Sequence, residues 1–274
     1  MGDRDMSRQL TSGVLGRRKT LANEYRMFVL SQGGIVNDIS WVEQRYAEAI
    51  QAGDIQSDGT PNFDYAMFDY RAGLEVEEVS GLDRVRKIWG LFKIDGVYPV
   101  MGTDVPSYRG ILTNDGIWFD STDASHSFDY FIPKNYGKES FEIEQDFNFD
   151  AAANPHRYTR TGSISSGYFS AFQENNTIRN FLLNNTDTFI TGPTSSALPT
   201  GRSHNVLWKF IRDSDNLNLQ VISGGDTYQD INNASFDTIF SNITGSRLFI
   251  GRPMTTANNA NNRTRMISIK YPEI

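Results

Sequence analysis

The sequence predicts a mainly β protein, an antiparallel β-sandwich behind a short N-terminal helical or extended anchor. Three observations carry that reading. Residues 205–222 hold two period-2 runs: Val206, Trp208 and Phe210 alternate with Leu207, Lys209 and Ile211, then Leu217, Leu219 and Val221 alternate with Asn218, Gln220 and Ile222. The tetrapeptide Asp213-Ser214-Asp215-Asn216 between them has short polar side chains that bond local backbone, so the whole reads as a β-hairpin. Beyond residue 62, helical periodicity fades and short apolar runs alternate with Gly, Pro, Asn and Asp clusters, the pattern of a sandwich or jelly roll. Finally, 38% of the 274 residues are hydrophobic and 12% aromatic, enough to build a core.

In chain order, residues 1–19 carry Arg4, Arg8, Arg17, Arg18 and Lys19 against Asp3 and Asp5. A basic, weakly apolar segment of this kind reads as an extended arm that orders on a partner. Thr20 is placed to cap a short helix over 21–30, with Leu21, Tyr25, Phe28 and Val29 on one face, ended by Ser31-Gln32-Gly33-Gly34. Ser40 with Glu43 three residues on is a capping-box signature for a second helix from Trp41 to about residue 51, closed by Gly53. This pair has too little apolar face to fold unaided and has to pack on a neighbour or on the main domain. The run 54–62, DIQSDGTPN, is turn chemistry and marks a boundary between an N-terminal region, 1–62, and a β domain, 63–274. Strands are expected over 84–91, 116–120, 128–132, 140–149, 167–172, 177–183, the hairpin, 247–251 and 265–271. Gly224-Gly225-Asp226 stops the hairpin's second strand, and the Asn-rich run 256–263 is a loop.

The bulk chemistry narrows the function classes. A net charge of −7 and a pI near 5.0 argue against a nucleic-acid-binding surface, which needs Lys and Arg for phosphates. The chain has no cysteine, which removes thiol catalysis and cysteine metal sites. No apolar run approaches the ~20 residues that span a bilayer, and the first residues lack the apolar core of a secretory signal. His126, His156 and His204 are isolated, without metal-ligand spacing.

Five short motifs, in order, resemble one family. Asp69-Tyr70-Arg71-Ala72-Gly73-Leu74 followed by residues 84–89 (RVRKIW) is similar to its "DPxAG" and "xVxxWxD" lead-in. Residues 105–108 (VPSY) with 117–120 (IWFD) are similar to its "xPxY…LxFDGxDDxL" segment, although Ser121 stands where Gly is usual. Residues 140–144 (SFEIE) resemble its "SFTIEAWV" strand, the hairpin resembles its late strand pair, and 248–251 (LFIG) resembles its "LxIG" strand. The family is the concanavalin A-like, laminin-G-like jelly rolls of bacteriophage virion proteins. Tyr25-Arg26-Met27 with residues 32–36 (QGGIV) resembles the "YxxRVxADGGxV" preamble found before such domains, Leu30 and Ser31 departing from it.

The resemblance implies a virion structural protein of tail, fibre or capsid decoration, made in the host cytoplasm and non-enzymatic. Its N-terminal region would dock on other virion proteins, with Arg17, Arg18, Lys19, Tyr25 and Trp41 as anchor candidates. Its jelly roll would hold host-surface polysaccharide, and a homo-oligomer is expected. Two alternatives stand beside it: a purely structural component that binds only protein, and a laminarinase-like glycoside hydrolase. The residues that bear on the choice lie in the strand 140–149, where Glu142, Glu144 and Asp146 fall on one face and Phe141, Ile143 and Phe147 on the other. Carboxylates two residues apart are ~6.5 Å apart along a strand, within the range of glycosidic chemistry, yet the order differs from the glucanase signature. Glu142, Glu144, Asp146 and Tyr228 are therefore the ligand-binding candidates, with no catalytic residue assigned. No cofactor is expected; the resemblance leaves calcium open, since many laminin-G-like domains bind it through loop oxygens, for which Asp120 and Asp123 are the candidates.

Overall fold

The computed structural model describes residues 3–63, 65–104, 109–121, 128–131, 140–149, 156–162, 168–174, 177–183, 189–194, 203–214, 216–235, 247–250 and 260–270. Two helices, α1 (Asp3–Ser31) and α2 (Ile39–Ala52), flank a short strand β1 (Ile35–Val36). The rest is strand: β2 (Tyr65–Asp69), β3 (Gly73–Val79), β4 (Leu82–Trp89), β5 (Val100–Gly102), β6 (Ile111–Thr113), β7 (Gly116–Ser121), β8 (Phe128–Phe131) and β9 (Phe141–Phe149). There follow β10 (His156–Gly162), β11 (Tyr168–Glu174), β12 (Thr177–Leu183), β13 (Phe189–Thr194), β14 (Ser203–Asp213), β15 (Asn216–Ser223), β16 (Asp226–Ser235), β17 (Arg247–Ile250) and β18 (Ala260–Lys270).

Every pairing among these strands is antiparallel. One run is β16–β15–β14–β9–β18, with β18 bonded on its far edge to β7 and then β2. The other runs β13–β12–β11–β10–β17–β8–β5–β4–β3–β1. Strands β6 and β7 join the two.

The hairpin stands as expected. Val206, Trp208, Phe210, Leu217, Leu219 and Val221 are wholly buried on one face, continuous with Ile143 of β9. Its turn is tighter than the tetrapeptide suggests, since Asp213 pairs with Asn216 and Ser214 takes a φ of 56°. Gly224-Gly225 does more than stop β15. With φ of 63° and 92° the two residues form the loop of a second hairpin into β16, because a two-residue turn with both φ positive matches the strand twist. The loop expected over 256–263 gives way at Ala260, where β18 begins beside β7.

The N-terminal region departs furthest from expectation. In place of an extended arm, residues 3–31 form one 29-residue helix. Once the packed segment from Leu21 to Val29 is helical, each further residue adds a hydrogen bond without a new nucleus. Arg, Leu, Gln and Lys then carry the helix outwards despite Gly13 and Gly16. Thr20 is inside the helix, its hydroxyl bonded to the Gly16 carbonyl, and is no cap. At α2 the cap is Asp38, whose carboxylate accepts the Trp41 N–H at 3.0 Å, so Ser40 and Glu43 form no capping box. Gly53 closes α2 in the left-handed conformation, as expected.

Both helices pack on the chain's own sheet. Leu21, Tyr25, Val29, Trp41, Val42 and Tyr46 share one core with Tyr65, Met67, Trp89, Leu91, Phe92, Tyr98 and Met266. Two phenols pin the contact. Tyr25 donates to the Trp89 carbonyl at 2.7 Å and accepts the Gly73 N–H at 2.8 Å, and Tyr46 donates to the Leu91 carbonyl at 2.5 Å. Burial pushes both phenols well above their ordinary pKa, so they stay neutral donors. Tyr46→Phe is expected to orphan the Leu91 carbonyl and cost about 1–3 kcal/mol, read as a lower urea midpoint with unchanged slope. The turn 54–62 tucks Ile55 into this core and ties Asp54 to Lys270 of β18 at 2.7 Å.

Candidate functional site

The covering helices leave part of the sheet's outer face open, and register decides what is displayed there. Glu142, Glu144 and Asp146 alternate outwards on β9. Opposite them stand Lys209, Leu207 and Asn205 of β14 on one side and Lys270, Ser268 and Met266 of β18 on the other. Next along, Leu207 faces Ile222 of β15, and the Gly224-Gly225 turn closes the far end. Of these, Glu142, Glu144, Asn205, Leu207, Ile222, Ser268, Lys270 and the two glycines line an open cleft of about 600 Å³.

Its polar groups are held in place. Lys209 Nζ is 2.7 Å from Glu142 Oε1, and Asn205 Nδ2 donates to Glu144 Oε1 at 2.8 Å. Arg265 Nε lies 3.7 Å from Asp146 Oδ2. The cleft thus alternates carboxylate acceptors with ammonium and amide donors over a floor softened by Leu207 and Ile222. That pattern suits a ligand rich in hydroxyls with an apolar C–H face. Both central glutamates already have partners, Lys209 and Asn205.

Of the sequence candidates, the structure brings Glu142, Glu144 and Asp146 together. It places Tyr228 elsewhere: Tyr228 pairs with buried Val221 and so belongs to the opposite face of the sheet. A one-residue offset in a strand reverses the side a residue serves. Tyr25 and Trp41 are also corrected as docking anchors. They are 0% and 7% exposed in the chain's own core, whereas Arg17 and Lys19 lie on the surface. Of the calcium candidates, Asp120 lies on β7 paired with Asn261, and Asp123 lies outside the described residues. Among the described residues, no group of three or more acidic or histidine side chains could hold a metal ion, and no helix is long and apolar enough to cross a membrane.

Sequence reasoning missed Asn205, Leu207, Ile222, Ser268 and Lys270 as site residues. Each sits in a strand that alternation revealed, but only the pairing of β9 with both β14 and β18 assembles them.

Beside the cleft, where α2 meets the sheet, Asp69 is buried. Its carboxylate accepts from the Arg71 N–H, Nε and Nη2 at 2.8, 2.8 and 2.7 Å. Burial pushes this carboxyl up from its ordinary value, and the bonds and charge of Arg71 oppose the rise. The Arg71 guanidinium in turn lies 4.5 Å over the Trp41 ring.

No protein-family model matches this sequence, and no curated protein is similar to it. Solved structures with a related fold include the sialidase of Trypanosoma rangeli in complex with 2,3-difluorosialic acid. It is 10% identical at a TM-score of 0.51, over 97% of this chain and 37% of that one. The binding domain of botulinum neurotoxin serotype C1 is 13% identical at a TM-score of 0.50, over 73% of this chain and 48% of that one. A carbohydrate-binding module (CBM40) of a Ruminococcus gnavus sialidase bound to α2,3-sialyllactose overlaps at 13% identity and a TM-score of 0.43, over 60% of this chain and 90% of that one. The chain spans only 37% and 48% of the sialidase and toxin chains it matches. The fold is therefore an antiparallel, jelly-roll β-sandwich carrying an N-terminal helical segment.

Proposed function

We propose that the chain is a non-catalytic, lectin-like module of a bacteriophage virion, of the tail, fibre or capsid decoration, that holds host-surface glycan in the cleft over Glu142, Glu144, Asn205, Ser268 and Lys270. The observation that carries the glycan reading is that row of alternating donors and acceptors on a rigid, doubly paired strand, beside two aliphatic side chains that can carry a sugar's C–H face. Its engaged carboxylates favour holding a ligand over acid–base work on it, which sets this reading ahead of a laminarinase-like hydrolase. Virion placement is supported by the ordered motifs and by the preamble at 25–36. Arg17 and Lys19, exposed on α1, and the half-buried Arg18 between them are left as the docking candidates, with other virion proteins as partners. The expectation of a homo-oligomer loses one ground, since the helices find their partners within the chain. Many copies on one particle would still raise a weak affinity through multivalency.

A glycan array with the full chain tests the reading. Reproducible binding to a surface polysaccharide is expected, and Glu142→Gln or Asn205→Ala should weaken it about tenfold, the loss of one hydrogen bond to a charged or amide group. Binding that both variants leave unchanged would move the site elsewhere, and an array without hits would favour a component that binds only protein. Release of reducing sugar from a bound polysaccharide by the wild type would overturn the non-catalytic half.

A further inference from the structure

At the junction of α2 with the outer face lies a second, smaller recess of about 110 Å³, which shares Glu144 and Asn205 with the cleft. Its walls are of two kinds. Trp41, Met67 and Met266 are apolar and at least nine-tenths buried. Arg45, Arg71, Asp69 and Asp146 are polar, with the shared Glu144 and Asn205, and both guanidiniums lie against the Trp41 ring, at 5.4 and 4.5 Å. Of these groups, Asp69 is taken up by Arg71 and Glu144 Oε1 by Asn205, whereas Trp41 Nε1 and Arg45 Nε are buried without a hydrogen-bond partner. Such a wall favours an acceptor oxygen in the recess, because a buried donor left unmatched is unfavourable. At ~30 Å³ per water the space equals roughly four waters. That is less than a sugar ring requires and fits a substituent of four heavy atoms.

Resting on the reading of the cleft as a glycan site, the geometry points to this recess as the subsite for an acetamido group on that glycan. The sugar ring lies in the cleft at Glu144 and Asn205, and the substituent enters beneath α2. Its methyl group packs on Trp41, Met67 and Met266, its carbonyl oxygen faces the donors of Trp41 and the two arginines, and its N–H faces the Asp146 carboxylate. A bare hydroxyl would leave the apolar wall uncovered, and a free amine would offer no acceptor to the unpartnered donors of Trp41 and Arg45. The ligand class is an N-acetylated sugar.

The test uses the full chain, ¹⁵N-labelled, titrated with sugars that differ only at this group: N-acetylglucosamine against glucose, N-acetylgalactosamine against galactose, and N-acetylmannosamine against mannose. In at least one pair the acetylated member is expected to bind about tenfold tighter or more and to shift the Trp41 indole N–H resonance. Arg45→Ala should erase the difference within that pair, while Glu142→Gln should weaken both members alike. Equal affinity within every pair, or acetyl preference without an indole shift, overturns the subsite and leaves the cleft standing. No perturbation of cleft residues by any of these sugars overturns both readings.

Discussion

A chain cut to residues 63–274 is expected not to fold, giving aggregate or a sample without a cooperative thermal transition. Nine of the seventeen buried members of the helix–sheet core lie before residue 63. Their loss would uncover Tyr65, Met67, Trp89, Leu91, Phe92 and Tyr98. At about 1.5–3 kcal/mol for each large side chain, that is on the order of 10 kcal/mol, comparable with the whole stability of an ordinary domain, about 5–15 kcal/mol. Deleting residues 1–19 removes none of these members, the first being Leu21. That truncation should leave the melting temperature nearly unchanged while, on the virion reading, abolishing incorporation into particles. Calorimetry on both truncations checks the first part; a cooperative melt from 63–274 would show that the β region holds itself together.

Gly34→Ala is expected to be the most damaging single methyl group at the helix–sheet junction. A Cβ there would lie 2.3 Å from the Trp89 ring and 2.8 Å from the Leu74 carbonyl oxygen. Trp89 is 4% exposed and has nowhere to move. Overpacking of this kind costs about 1–3 kcal/mol, and the upper end applies because one of the atoms met is backbone. The neighbouring Gly33→Ala meets open space, but at a φ of 81°, so it should cost only about 1 kcal/mol. Denaturant melts of the pair separate steric from conformational cost. Equal losses would refute the packing argument.

What was legible in the sequence follows from how each strand is buried. The β14–β15 hairpin and β9 alternate because one face is buried and the other meets water, and both could be read from period alone. β2 could not: its five residues, Tyr65 to Asp69, are all buried, inner face against the sandwich and outer face under the helices, so no alternation survives. β3 was hidden by its run of glutamates, of which Glu75 is met by Arg86 and Lys87 and Glu77 by Arg109. The N-terminal helix was underestimated because polar composition was read as disorder, when a packed segment can propagate helix through it. At the site, the carboxylate row was visible in one strand. Asn205 and Lys270 became its neighbours only through pairings that span the chain, and α2 supplied Trp41 and Arg45 from further away still. Tyr228 was misplaced because aromatic character says nothing about which side of a sheet a residue serves.

Strand β18 joins regions that are far apart in time as well as in sequence. Along one edge it bonds β9; along the other it bonds β7 over 260–264 and β2 over 266–270. On a ribosome, residues 65–69 and 141–149 therefore emerge long before the segment that completes their ladders. Contacts of such long sequence separation form slowly, and unpaired strand edges can recruit other chains. The central sheet, and with it both polar depressions on its outer face, cannot close until residues 260–270 have been made. A nascent chain therefore has neither depression assembled while β18 is still unmade.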